Sequence, residues 1–183
     1  MPYEIPSDLS AMSLPEIAAA VEARKLPPIE KWQPEESIDS GMRIAANGSW
    51  FYQGSPIGRA AMVRAFSSLL MRDHGGQHWL MTPQCRQSIE VEDAAFIAVD
   101  MTQDGNALAF RLNTDDIVLA GPDNPLRVTG EADCPAIYLA VRHGCEARLD
   151  RSTWLQLADH ALALGHDPLA IASQGAIFTI TPA

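Results

Sequence analysis

Counting forward from Arg59, the apolar residues Met62, Val63, Phe66, Leu69 and Leu70 fall three, four, seven, ten and eleven positions on. Counting from Arg151, Trp154, Leu155, Ala158, Ala161 and Leu162 occupy the same offsets. Each series marks one face of an α-helix. Each also has the same surroundings. Ahead of the first lies a strand from Met42, an Asn47-Gly48 turn and a returning strand; ahead of the second lie strands over 137–142 and 145–149 joined at His143-Gly144. Asn-Gly between strand-like runs is a strong hairpin signal. Behind each helix a strand ends in Thr-Pro, over 78–82 before Pro83 and over 176–181 before Pro182, with Gly75-Gly76 expected to stop the first helix. A chain with this grammar is expected to fold as a duplicated strand-hairpin-helix-strand unit, with extra residues in the second copy's connection.

Between the copies, 89–99, 107–112, 116–120 and 126–128 have strand length and strand composition, and Asp104-Gly105, Asn113-Thr114 and Gly121-Pro122 break them. This meander and the second copy together make an antiparallel sheet plus a helix. At the other end, Ser13 and Glu16 have capping-box spacing, Pro15 suits a first turn, and Leu14, Ile17 and Val21 share a side, so a packing helix is expected over 13–25. Pro27, Pro28 and Pro34 keep 26–36 extended, with Trp32 as its anchor. The expected fold class is α+β, organised as 1–40 (helix and arm), 41–88 (an α+β module) and 89–183 (a C-terminal α+β domain).

Charge separates along the same boundaries. The net charge of −10 conceals eight acids and three bases in 1–40, one acid and five bases in 41–89, and fourteen acids and five bases in 90–183. The overall sign argues against sequence-independent binding to nucleic acid or an anionic membrane surface. The basic stretch, with Arg43, Arg59, Arg64, Arg72 and Arg86 against Asp73, can nevertheless hold a small anion, or pair with the acidic segment that follows it. Eleven of the thirteen bases are arginine and both lysines precede residue 32, so any anion held later in the chain meets guanidinium forks, main-chain N–H groups or hydroxyls. No apolar run approaches the roughly 20 residues of a membrane span, and the start lacks the pattern of a secretory signal, so a cytoplasmic location is expected. The odd, scattered Cys85, Cys134 and Cys145 match neither a disulfide framework nor a zinc site.

Arg59 and Arg151 each stand in the first turn of an expected helix, where the macrodipole disfavours a cation by a few tenths to about 1 kcal/mol. A compensating partner is expected: an anion in a cleft, or a carboxylate such as Glu92 or Asp93. Glu90, Glu92 and Asp93 can serve acid–base chemistry, or act as hinge acids caging Arg59. Trp50 and Tyr52 share a strand face opposite Phe51, suited to stacking on a base or to packing inward. Gly54-Ser55-Pro56, ahead of the helix, can present N–H groups to an anion, but no phosphate-binding glycine motif is present. His74 and His78 are separated by Gly75-Gly76, which disfavours a helical metal site, and Ser67-Ser68 lie inside a helix without a nucleophile-elbow pattern. No metal, cofactor or catalytic residue is expected.

The runs IAANGSWFYQGSPIGRAAMVRAFSSLL, LMTPQCRQSIEVEDAAF, FRLNTDD and NPLRV, followed by the segment 142–151, resemble the bacterial family known as domain of unknown function 1285 across nearly all of the chain after Leu26. That resemblance implies two α+β domains built on a duplicated motif, a C-terminal domain like the pleckstrin-homology fold, and a signalling role with a nucleotide-like ligand held between the domains. Cys85 and Ala95 depart from the family pattern. The leading expectation is a non-enzymatic sensor holding a small anionic, nucleotide-like ligand at the domain interface, with Trp50, Arg59, Arg64 and Thr82 from one side and Glu92, Asp93, Arg111, Asn113 and Arg142 from the other. The second is an adaptor in signalling that takes a protein segment, its interdomain charges being structural.

Overall fold

The computed structural model describes residues 26–182 together with Ser13 and Pro15. The helix expected over 13–25 lies outside the described residues. The chain is α+β, with two similar six-stranded sheets, and it divides into an N-terminal unit (26–96 with 141–146) and a C-terminal unit (97–140 with 147–182).

In the N-terminal unit the arm makes a short 3-10 turn at Ile29–Lys31, and Ile29, buried to 1% exposure, is its deeper anchor, with Trp32 half-buried. Six strands follow: β1 (Glu36–Ile44), β2 (Trp50–Tyr52), β3 (Ser55–Pro56), β4 (Leu70–Arg72), β5 (His78–Met81) and β6 (Cys85–Val91), with helix α1 (Ala60–Ser67) between β3 and β4. Their order is β3-β2-β1-β6-β5-β4, with β1 and β6 parallel and the other neighbours antiparallel. The Asn47-Gly48 turn forms where expected, closed by the Ala45 N–H donating to the Ser49 carbonyl at 2.8 Å. Ile44, Trp50, Leu70, Leu80 and Ile89 supply its buried core.

Helix α1 is shorter than its apolar periodicity predicts. The Ser67 and Ser68 hydroxyls donate to the carbonyls of Arg64 (2.8 Å) and Ala65 (2.6 Å). Such back-bonding competes with the helical ladder and favours an end there. Leu70 consequently opens β4, and Gly75-Gly76 turns the β4–β5 hairpin instead of stopping a helix, with the Asp73 carboxylate accepting from the Gln77 N–H at 3.0 Å.

The second sheet comprises β7 (Phe96–Asp104), β8 (Ala107–Leu112), β9 (Ile117–Ala120), β10 (Leu126–Glu131), β11 (Cys134–Arg142) and β12 (Cys145–Leu149), in the order β10-β11-β12-β7-β8-β9. Strand β8 is buried at every position but Arg111, which explains its near-continuous apolar run. Helix α2 (Arg151–Leu164) is capped at both ends: the Asp150 carboxylate accepts from the Thr153 N–H at 2.8 Å, and Gly165 takes the left-handed φ of 72° that stops it. A hairpin of β13 (Ala170–Ser173) and β14 (Ala176–Thr179) follows. Each copy of the repeat is thus hairpin, helix, hairpin, where a single strand was expected after each helix.

Candidate functional site

A pocket of about 470 Å³ opens in the N-terminal unit, between the end of β1, the β2–β3 hairpin and one side of α1. Its walls are apolar: Met42, Pro56, Ile57, Met62 and Phe66. Tyr52 and Ser55 line it too, and Gly58 and Arg59 complete the lining.

Local chain geometry makes this opening. The parallel pairing of β1 with β6 shifts register between Asp39 and Met42, leaving Ser40 and Gly41 as a bulge. The Ser40 hydroxyl donates to the Ser88 carbonyl at 2.7 Å and accepts from the Met42 N–H at 3.0 Å, so the bulge is pinned. Gly41 sits at φ 67°, and its carbonyl accepts from the Gln53 N–H at 2.8 Å, tying the bulge to the turn of β2–β3. Bulges of this kind re-aim the next side chain, here Met42. Gln53 and Gly54, at φ 47° and 81°, form that turn, and Ser55 and Pro56 pair with Tyr52 and Phe51. Gly54-Ser55-Pro56 therefore forms a hairpin, not a loop offering its N–H groups at the helix start.

Arg59 stands one position before α1, at the N-cap, with φ −86° and ψ 109° and no side-chain cap. Its carbonyl accepts from the N–H groups of Met62 (3.0 Å) and Val63 (3.2 Å), while its exposed side chain makes no hydrogen bond or ion pair with any described residue. Of the two carboxylates considered for it, Glu92 is committed elsewhere, pairing with Arg43 and accepting from the Ala46 N–H at 2.8 Å. The Arg43 guanidinium also lies over Phe51, 4.4 Å from the ring centre. Arg86 lies over Trp79 at 4.4 Å and donates to the Ser37 hydroxyl at 2.7 Å. These two arginines are engaged within their own unit and do not line the pocket.

The other residues singled out from the sequence fall into several environments. Trp50 is 2% exposed and stacks on Phe66 with ring centres 6.3 Å apart, so its ring backs the pocket wall and is not free to stack on a base. The Thr82 hydroxyl is consumed by the β5–β6 turn, donating to the Cys85 carbonyl at 2.8 Å and accepting from the Cys85 N–H at 3.1 Å. Arg64 lies exposed in the last turn of α1 and Asp93 is half-buried after β6. Arg142 belongs to the same unit, its guanidinium 4.9 Å from the Phe96 ring centre and donating to the Ser67 carbonyl at 3.3 Å. Arg111 and Asn113 belong to the C-terminal unit. Arg111 pairs with Asp115 at 3.5 Å, and the Asn113 side-chain oxygen accepts from the Ile97 N–H at 3.0 Å. Arg151 is the exposed first residue of α2.

The apolar periodicity puts Met62 and Phe66 on one face of the helix. They lie three and seven positions after Arg59 and therefore share its side of α1. Met62, 40% exposed, and Phe66 line the pocket beside Tyr52, 47% exposed. Among the described residues no three His, Cys, Asp or Glu side chains gather as metal ligands, and no helix is long and apolar enough to cross a membrane.

The fold has known relatives. Residues 27–94 match the family model described as the N-terminal domain of DUF1285, a domain of unknown function, and residues 95–180 match its C-terminal domain model. A DUF1285 family protein from Silicibacter pomeroyi DSS-3 is 38% identical, with a TM-score of 0.76 over 95% of this chain and 97% of that one. A DUF1285 family protein from Shewanella baltica OS155, 22% identical, shares the fold with a TM-score of 0.53 over 64% of this chain and 90% of its own. No curated protein matches the sequence. With both domain models matched in order over most of its length, the chain belongs to the DUF1285 family.

Proposed function

We propose that this is a non-enzymatic ligand-binding protein, a sensor whose N-terminal unit takes a small organic anion into the Arg59 pocket. The observation that carries the reading is an arginine without a described carboxylate partner in the lining of a mostly apolar pocket. Small-molecule sites combine apolar walls with a few convergent polar groups, in volumes of about 300–1,000 Å³. A cation beside a helix N-terminus is electrostatically unfavourable, and an anion held between the guanidinium and the helix start relieves that. The pocket lies in the one stretch of the chain where bases outnumber acids. The nucleotide-like ligand expected from the sequence is one member of this class, and signalling is the role that ligand-dependent stabilisation without chemistry would serve.

A thermal-shift panel of nucleoside monophosphates and alkyl and aryl carboxylates tests it. A ligand at one hundred times its dissociation constant stabilises by about 2.7 kcal/mol, which for a chain of this size raises Tm by roughly 5–10 °C. At least one compound is expected to shift the wild type and to lose its effect in Arg59→Gln. The ligand-free stability of that variant should change by no more than about 0.5 kcal/mol, because the side chain is exposed. No shift with any anion at millimolar concentration refutes the reading.

A further inference from the structure

The composition of the pocket says which anion fits. Resting on the reading above, we infer that the Arg59 pocket is built for a monocarboxylate with an apolar alkyl or aryl body, and not for a phosphorylated nucleotide.

Charge is the first reason. Among the described residues Arg59 is the only charged one in the lining, and a guanidinium is matched by one carboxylate through two parallel N–H···O bonds. A nucleoside monophosphate carries close to two negative charges at neutral pH, since a phosphate monoester's second pKa is about 6. No second cation among the described residues lines the pocket, and Arg43 and Arg86 are held by Glu92 and Ser37 and by the rings beneath them.

The second reason is the polarity of the walls. A ribose and a base present many donors and acceptors, each of which loses water on burial and must find a partner. Among the described residues of the lining, only the Tyr52 and Ser55 side chains besides Arg59 carry polar groups. A hydrocarbon body makes no such demand.

The third is the shape and mobility of those walls. Phe66 is backed by Trp50 in a near-parallel stack of 21°, which makes one side rigid and flat. Met42 and Met62 are unbranched thioethers that adjust to the outline of what they meet. A rigid ring wall facing adaptable thioethers accommodates a flat or flexible apolar body. Met62 and Tyr52, both partly exposed, would be covered by it, and the apolar area removed from water supplies the driving force.

The test is isothermal titration of the full chain with octanoate, with octanamide as its uncharged counterpart, and with AMP, for the wild type, Arg59→Gln and Met62→Glu. Octanoate is expected to bind at one site, with octanamide at least tenfold weaker and AMP giving no saturable heat. Arg59→Gln should lower octanoate affinity at least tenfold and remove its advantage over octanamide. Met62→Glu, a change on an exposed part of α1, should abolish octanoate binding by placing a like charge in the pocket. Saturable AMP binding that is lost in Arg59→Gln would uphold the anion pocket but overturn the carboxylate assignment. Equal affinity for octanoate and octanamide would overturn it too. Failure of all three compounds, with no other anion shifting Tm, would overturn both readings.

Discussion

Ser173 is a single hydroxyl on which three strands depend. It is 1% exposed, at the end of β13, where its Oγ donates to the Ala120 carbonyl on β9 at 2.6 Å and accepts from the Leu108 N–H on β8 at 2.8 Å. Leu108 and Ala120 face each other in the β8–β9 register, so the hydroxyl stands between two main-chain groups of one ladder position. Both residues are fully buried, and the space vacated by one oxygen atom is too small to admit a water. Ser173→Ala should therefore leave one N–H and one C=O unsatisfied, at about 1–3 kcal/mol for each such group. Allowing for partial relaxation of the ladder, the expected loss is about 2–4 kcal/mol. Urea unfolding followed by far-ultraviolet circular dichroism measures it, with Ser152→Ala, an exposed serine in the first turn of α2, as the control expected to move by less than about 0.5 kcal/mol. A Ser173→Ala protein within 0.5 kcal/mol of wild type, at unchanged slope, would show that the two main-chain groups find other partners and would refute the assignment of Ser173 as a bridging residue.

Three further outcomes are expected. Gly144 sits at φ 78° with a Cβ position 2.6 Å from the Arg72 carbonyl oxygen, whereas Gly54, at φ 81°, has open space around it. By urea unfolding, Gly54→Ala should cost about 1 kcal/mol and Gly144→Ala about 3 kcal/mol, the excess reflecting loss of the Arg72 N–H to His143 carbonyl bond; equal costs would refute that. Burial first, then the facing Arg72, holds His78 below its ordinary value of 6.5, against the opposing pull of Asp73 and Glu146; His143 is lowered mainly by burial. The unfolded chain therefore takes up protons at a pH where the folded one does not, and stability present above pH 6.5 is lost as pH falls below it. The difference in urea midpoint between wild type and His78→Gln should narrow or reverse from pH 7.5 to 5.5, and pH-independent parallel curves would refute this. Burial pushes the Cys145 thiol up to about 12, whereas Cys134 is exposed. Iodoacetamide at pH 8, followed by peptide mass mapping, should label Cys134 in the native protein and Cys145 only in urea.

Local patterns foretold the local structure well. Strands β8 and β12 have the bounds their composition predicts, and the Asn47-Gly48 hairpin, the start of α2 and the duplication are all present. What escaped prediction depends on competition or on distance. Periodicity carried α1 on to Leu70 because it counts apolar positions and cannot see two serine hydroxyls reclaiming helix carbonyls. The parallel pairing of β1 with β6 joins segments with no shared local signal, so neither its register nor the Ser40–Gly41 bulge was legible. At the site, Arg59 was legible because a cation at a helix start demands an explanation. Thr82, Glu92 and Asn113 looked equally suited to a ligand but satisfy main-chain groups or a neighbouring arginine, and residue type alone does not distinguish the two uses. The shared face of Met62 and Phe66 was legible but its surroundings were not, because an apolar stripe looks the same whether it meets a core or lines a recess.

The N-terminal unit is not a continuous stretch of chain. Residues 141–146 belong to it, and they supply the His143 carbonyl that takes the Arg72 N–H at 2.8 Å and the guanidinium that reaches the Ser67 carbonyl at 3.3 Å. A gene cut at residue 94, where the two family models meet, would sever these groups from the body they complete. During synthesis, this unit must also wait on the ribosome for nearly fifty further residues after Phe96 before its last acceptor emerges, so its assembly is ordered by translation as well as by packing. A chimera that exchanges such halves has to carry a six-residue passenger, 141–146, across the splice.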